Sequence, residues 1–238
     1  MTNIRIFFAM AAIRHWPLHQ LDIKTAFLHG DLEETVYMEQ PPGFVAQGES
    51  GMVCKLHRSL YGLKQSQRAW FGKFSFIVQN FGLRRNERDH SVFYSHTSSR
   101  KCIYLIVYVD DIVITGKDIV GISQLKEHLC RRFQTKDLGN LKYFLDIEVA
   151  QSKHGVVISQ RKYVLDILQE SGMIDCKPVE SPMDPNQKLT TEEGELFFDP
   201  ERYRRLVGKL IYLTITRPDL SFAVGVVSQF MQSSCVGH

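Results

Sequence analysis

Three acidic residues sit where an aspartate is costly unless something uses it. Asp22 closes the apolar run Gln20-Leu21-Asp22-Ile23, and Asp110-Asp111 splits the run Tyr108-Val109-Asp110-Asp111-Ile112. Two carboxylates about 4 Å apart repel by about 4 kcal/mol at an effective dielectric of about 20. One of them then tends to keep its proton unless a cation lies between them. Oxygen-only ligands favour a hard ion such as Mg²⁺ or Mn²⁺. An Asp-Asp pair is also an ordinary polar turn. Here the flanks are nearly all β-branched or aromatic, which marks a buried strand pair. If the strand ending at Asp22 lies beside that pair, three carboxylates can share two metal ions about 4 Å apart. Such a centre activates a hydroxyl nucleophile and stabilises an in-line phosphoryl transfer with pyrophosphate as the leaving group.

The elements that must position these residues are legible as patterns. Cys102–Val109 and Ile112–Thr115 are β-prone runs, predicting a hairpin with both carboxylates at its tip. His19–Ile23 reads as a short strand. Thr2–Arg14 has apolar residues at helical spacing (Ile4, Phe7, Phe8, Ala11, Ala12). Thr35–Glu39 alternates into a Pro41-Pro42-Gly43 turn, Gly48–Gly51 is a loop and Val53–Leu56 a return strand. Helices are predicted over Ala69–Phe81, Ile119–Phe133 and Arg161–Glu170, the last closed by Gly172. Tyr143–Val149 and Val156–Ser159 read as strands around His154-Gly155. Lys177–Pro200, with four prolines and few apolar residues, is a linker; Glu201–Thr214 and Pro218–Met231 read as helices broken at Arg217-Pro218. This alternation points to an α/β or α+β core followed by a helical part.

Composition narrows the class further. The 238 residues are 44% hydrophobic and 23% charged, as in a folded globular protein. The longest apolar runs, Ile6–Ile13 and Cys102–Val109, are far short of the roughly 20 residues a membrane span needs. No signal peptide is expected from the N-terminal residues. Five dispersed cysteines without a CxxC pair argue against a disulfide framework or a structural zinc site. The net charge of +3 is small, yet its distribution is uneven. Leu18–Ser50 carries six acids against Lys24 alone, whereas Lys55–Lys101 carries ten Lys/Arg against Glu87 and Asp89. That basic segment, interleaved with Tyr61, Trp70, Phe71, Phe74 and Phe81, could follow a phosphate backbone. From charge alone, a solvated helix face with its aromatics in the core is the better reading.

The order of motifs resembles that of reverse transcriptases, and their wording is most similar to copia-type retrotransposon polymerases, part of the Pol polyproteins of long-terminal-repeat elements. The matching residues are Asp22 to Phe27, Ser59-Leu60-Tyr61-Gly62-Leu63-Lys64-Gln65 with Ala69-Trp70, and Tyr108-Val109-Asp110-Asp111. Glu39-Gln40-Pro41-Pro42-Gly43-Phe44, Arg202 to Leu210 and Thr216-Arg217-Pro218-Asp219 extend the match over essentially the whole chain. The resemblance implies an α+β right-hand polymerase palm, an antiparallel sheet with packed helices, then a mainly helical thumb. In that frame residues 1–152 are palm with a remnant fingers arm at about 31–58. Residues 153–238 are thumb or connection, with the acidic Pro-rich linker at 177–200.

The implied function is RNA-directed DNA polymerisation, a nucleotidyl transfer from a deoxynucleoside triphosphate to a primer 3′-hydroxyl on two Mg²⁺ or Mn²⁺ ions. Asp22, Asp110 and Asp111 would be the catalytic, metal-holding triad. Thr25 and Ala26 would offer backbone N–H groups to the triphosphate, and Phe27 would exclude a ribose 2′-hydroxyl. Tyr61, Gly62 and Lys64 would close the nucleotide pocket. Tyr108, Tyr143, Phe144 and Leu145 would lie along the primer and template. Lys136 is a candidate proton donor to pyrophosphate, or a solvated lysine. The implied partners are primed RNA or DNA template, deoxynucleotides, and the integrase and ribonuclease H domains of the same polyprotein, with no membrane. The implied location is intracellular, cytoplasmic in a virus-like particle or nuclear.

Two departures from the family pattern stand out. Asp146 replaces the usual glycine in Tyr143-Phe144-Leu145-Asp146-Ile147-Glu148, and Gln67 replaces a usual proline. An acid in a primer grip would repel phosphate, and its Cβ is expected to fit poorly. With most of the fingers expected to be missing, the sequence reads as a partial or degenerate element copy. Two readings stay open: a polymerase domain with its metal chemistry intact, or a non-enzymatic folded remnant that at most binds nucleic acid. A palm-fold nucleotide cyclase is a third, which leaves the basic arm and the C-terminal helices unexplained.

Overall fold

The computed structural model describes residues 2–41, 43–44, 52–97, 101–184, 186, 189 and 194–237. The loop expected at Gly48–Gly51 lies outside them, as do Pro42, Pro185 and several neighbouring linker positions. The chain divides into two compact units. One comprises residues 8–142 with 153–155; the other comprises residues 1–7, 143–152 and 156–238. The fold is mixed, with antiparallel sheets and six α-helices among the described residues. No helix there is long and apolar enough to cross a membrane.

Helix α1 (Thr2–Arg14) buries Ile4, Phe7, Phe8 and Ala11, the face its spacing predicted. The first unit is built on a six-stranded sheet. Its strands are β1 (Leu18–Ile23), β4 (Arg84–Arg85), β5 (Val92–His96), β6 (Cys102–Tyr108), β7 (Asp111–Gly116) and β8 (Thr135–Asn140), in the order β4-β5-β6-β7-β1-β8. The central strands are nearly continuous in apolar residues because helices cover the sheet. Helix α2 (Ser66–Asn80) and helix α3 (Ile119–Arg132) contribute Trp70, Phe74, Val78, Ile122, Leu125 and Leu129 to one cluster with Leu21, Ile23, Leu105, Ile112 and Ile114. Phe74 is fully buried among the rings of Trp70, Phe93 and Phe133.

A separate two-stranded arm, β2 (Asp31–Glu39) paired with β3 (Val53–Arg58), accounts for the alternating segment and its return strand. The basic segment keeps its charges in water, with Lys55, Arg58, Lys64, Arg68, Arg84, Arg85 and Arg88 exposed. Its aromatics mostly do not join them: Trp70 and Phe74 are core residues, and Tyr61 alone of the five is largely exposed.

In the second unit, β9 (Tyr143–Phe144), β10 (Ile147–Ser152) and β11 (Gly155–Ser159) form a three-stranded sheet. The segment expected to be one strand over Tyr143–Val149 is broken by a hairpin turn at Leu145-Asp146. Helix α4 (Arg161–Ser171) ends at Gly172, whose left-handed φ of 72° supplies the stop that the sequence indicated. Helices α5 (Pro200–Leu213) and α6 (Ser221–Ser228) are separated by a short 3-10 turn at Pro218–Leu220. Asp199 caps α5 by accepting from the Arg202 N–H at 2.9 Å, with Pro200 in the first turn.

Candidate active site

Strand register brings the predicted carboxylates together. Asp22 stands directly opposite Asp111 in the β1–β7 ladder, and Tyr108 is opposite Asp111 on the other side. On the outer edge Lys136 of β8 is opposite Asp22. Directly opposed residues share a face, so Lys136, Asp22, Asp111 and Tyr108 form one row across four strands. The next row inward, Leu21, Ile112 and Val107, is buried on the other face. The site therefore sits at the strand ends, since farther along the same face Gln20, Val113 and Ile106 are already buried.

The hairpin tip differs by one residue from the sequence expectation. The two-residue turn is Val109-Asp110, and Asp111 is the first residue of β7 rather than part of the tip. Tyr108–Asp111 pairing closes the loop at two residues, which forces one of them to a positive φ. That residue is Val109, at φ 54°. A β-branched side chain is rare there, and such strain costs about 1–3 kcal/mol. Two hydrogen bonds hold the turn. The Trp70 indole Nε1 donates to the Val109 carbonyl at 2.8 Å, and the Ile23 N–H donates to the Asp110 carbonyl at 2.9 Å.

The electrostatics are those of crowded acids. Burial pushes the Asp111 carboxyl above its ordinary value; the Gln20 amide, donating to Oδ1 at 3.3 Å, opposes this, while the Asp110 and Asp22 charges reinforce it. The cost of ionising Asp111 beside Asp110 and Asp22 is what a hard divalent ion would relieve. The donor chemistry thus fits such an ion. Among the described residues, however, no three His, Cys, Asp or Glu side chains converge closely enough to hold one. The backbone frames a pair, Asp22 and Asp111, with Asp110 in the adjoining turn.

After β1 the chain turns sharply. Thr25 takes a left-handed φ of 53°, its hydroxyl donates to the Lys24 carbonyl at 2.7 Å, and a 3-10 turn over Ala26–His29 follows. Ala26 is fully buried, whereas Phe27 is half-buried with its ring 4.8 Å from that of Tyr61. Phe27 and Tyr61, from separate motifs, are therefore brought together. Gly62 has a φ of 93°, which a side chain would strain, and Lys64 is exposed. Gly30 has no room for a Cβ, which would sit 2.8 Å from the Trp70 nitrogen. Tyr143, Phe144 and Leu145 belong to the other unit. There Phe144 is fully buried, and the Leu145 carbonyl accepts a hydrogen bond from the Tyr212 hydroxyl.

Asp146 fits better than expected. Leu145 and Asp146 have φ of 50° and 59°, as a two-residue hairpin turn with both residues left-handed requires, and aspartate tolerates that region. Its carboxylate accepts from the Tyr143 hydroxyl at 2.6 Å, and this bond pushes the Tyr143 pKa up to about 12. Gln67 lies exposed in the first turn of α2, where a helix accepts either residue. Gln20 and Trp70 are the site residues that sequence reasoning did not assign. Trp70 had one visible signal, a place in a matching motif with no role attached. Gln20 had its alternation with Asp22, which puts both on one face.

The sheet thus carries acids on the adjacent ends of antiparallel strands. Residues 1–185 match the family model described as reverse transcriptase (RNA-dependent DNA polymerase), and the chain belongs to that family. Over its whole length it is 44% identical to the Retrovirus-related Pol polyprotein from transposon RE1 of Arabidopsis thaliana, of which it covers 16%. It is 40% identical to the corresponding polyprotein from transposon TNT 1-94 of Nicotiana tabacum, again over the full chain and 19% of the relative. Over 92% of the chain it is 30% identical to a putative transposon Ty5-1 protein of Saccharomyces cerevisiae, covering 71% of it. The chain thus spans under one fifth of the two plant polyproteins, and the copia-type resemblance agrees with these relatives.

Proposed function

We propose that this chain carries the palm of an RNA-directed DNA polymerase and joins a deoxynucleotide to a primer 3′-hydroxyl. The observation that carries the reading is the opposition of Asp22 and Asp111 across β1–β7, with Asp110 in the adjacent strained turn. In this reading residues 1–152 are palm with an arm at about 31–58, and residues 153–238 are thumb. Asp22, Asp110 and Asp111 would hold two Mg²⁺ or Mn²⁺ ions. When bound, these ions would lower the pKa of the primer hydroxyl and neutralise charge on the transferring phosphoryl group. Gln20 holds Asp111 in place through its amide hydrogen bond.

The remaining roles follow from position. Thr25 and Ala26 present backbone at the turn that follows Asp22, suited to an anionic triphosphate. Phe27, braced by Tyr61, offers a rigid ring where a sugar edge would lie. Gly62 permits a close approach by a base, and the exposed Lys64 meets phosphate. Tyr108 projects at the end of the carboxylate row, towards a primer terminus. Of the expected primer-grip residues, Tyr143 and Leu145 would lie along the primer, while the buried Phe144 would anchor them from the core. Primed template and deoxynucleotides are the substrates, and the other domains of a Pol polyprotein the natural neighbours.

Single-nucleotide extension of a labelled DNA primer on an RNA template tests this, in Mg²⁺ and in Mn²⁺. Incorporation that falls by at least about 100-fold in Asp110→Asn supports it, since even residues behind metal ligands cost 10- to 100-fold. Template binding without incorporation in either metal favours the non-enzymatic remnant.

A further inference from the structure

Trp70 is 3% exposed and wedged among the rings of Phe74, Phe133 and His29, with centroids 5.6, 5.0 and 6.0 Å away. Packing explains a large ring at this position but not the polar N–H of an indole. What the indole adds is one N–H, and that N–H is spent on the Val109 carbonyl. The carbonyl belongs to the residue with the left-handed φ, immediately before Asp110. Valine prefers φ below zero, so the free hairpin would relax towards another turn and carry Asp110 and the start of β7 with it.

We infer that Trp70 is a positioning residue: its indole N–H holds the Val109-Asp110 turn in its strained form and so fixes where Asp110 and Asp111 point relative to Asp22. The grip also reaches the other side of the site. Helix α2 begins at Ser66, whose hydroxyl donates to the Leu60 carbonyl and whose N–H donates to the Leu63 carbonyl. The loop of Tyr61, Gly62 and Lys64 is therefore laced to the first turn of the helix whose next turn holds the carboxylate hairpin. The inference rests on reading the acids as a metal centre.

The test compares the parent chain with Trp70→Phe, Val109→Gly and the double variant, with Asp110→Asn as a control. Mn²⁺ binding is followed by the electron paramagnetic resonance signal of free Mn²⁺, and stability by thermal melting. Glycine adopts the required φ without strain, so it removes the need for a hold. Trp70→Phe is expected to weaken Mn²⁺ binding roughly 10-fold, the scale of one buried hydrogen bond. Val109→Gly in the Trp70→Phe background is expected to restore it to within about threefold. Trp70→Phe binding like the parent overturns the inference, as does a double variant as weak as Trp70→Phe, which would mean that Trp70 acts by packing alone. If Asp110→Asn leaves parental Mn²⁺ binding unchanged, the polymerase reading fails, and the melting cycle alone then decides the hold. Coupling between the two positions upholds it and additive effects overturn it.

Discussion

Asp111 is caught between two demands. Its place opposite Asp22 gives the site a carboxylate pair, while burial and the neighbouring acids make its ionised form costly. Its folded-state pKa is raised, so the protonated form is favoured by folding. The associated stability is present below the ordinary aspartate pKa and is lost as pH rises through the folded value. Asp111→Asn removes that cost and keeps an acceptor for the Gln20 amide. The variant is expected to melt above the parent at pH 7. The two should converge as pH falls below the ordinary aspartate range, because the parental side chain is then neutral in both states. Melting temperature against pH checks this, and a variant less stable than the parent at pH 7 would contradict the account of burial. The trade is a familiar one at functional sites, where chemistry is retained at the expense of stability.

Among the elements, the β6–β7 hairpin carries the site and is pinned at both ends. At its tip stand the Val109 strain and the Trp70 hydrogen bond. At its base Gly116 pairs with Ile103 at φ 150°, and a Cβ there would lie 2.2 Å from the Cys102 carbonyl oxygen. Backbone cannot yield as a flexible side chain can, so the strands would have to separate or slip. A slip by one residue would exchange the faces of Asp111 and Ile112 and turn Asp111 to the side where Leu21 and Val107 are buried. Gly116→Ala is expected to destabilise the sheet unit by about 3 kcal/mol. Urea unfolding followed by tryptophan fluorescence reads this directly, because both tryptophans, Trp16 and Trp70, lie within that unit. An unchanged midpoint would show that the strand pair has more room than its geometry implies.

Taken whole, the molecule concentrates charge unevenly. Seven exposed Lys and Arg side chains lie between positions 55 and 88, whereas Lys73 is taken up by Asp31 at 2.9 Å. Binding to a primed template is therefore expected to be driven by phosphate contacts, with the logarithm of affinity falling by about 0.7–0.9 per contacted phosphate for each decade of salt. Four or five contacts give a slope near −4, measurable by fluorescence anisotropy between low and physiological salt. A slope close to zero would remove these residues as a nucleic-acid surface. The aromatic side chains interleaved with them add little stacking, because Trp70 and Phe74 face inward.

Local pattern determined much of this protein: helices α1 to α4, the central strands, the carboxylates at or next to strand ends, and the motif order that identifies the family. These are written in neighbouring residues through periodicity, turn chemistry and β-branched content. Strand β8 escaped notice because Thr-Lys-Asp-Leu-Gly-Asn has one apolar residue and is a strand only through its pairing with β1. For the same reason the place of Lys136 opposite Asp22 could not be read from the sequence. The opposition of Asp22 to Asp111, the one-residue shift of the tip and the Trp70–Val109 hydrogen bond were decided by tertiary structure. The first and last join residues far apart in the chain, and nothing in either partner's local sequence records the register that makes them meet; the shift of the tip follows from the Tyr108–Asp111 pairing of that register.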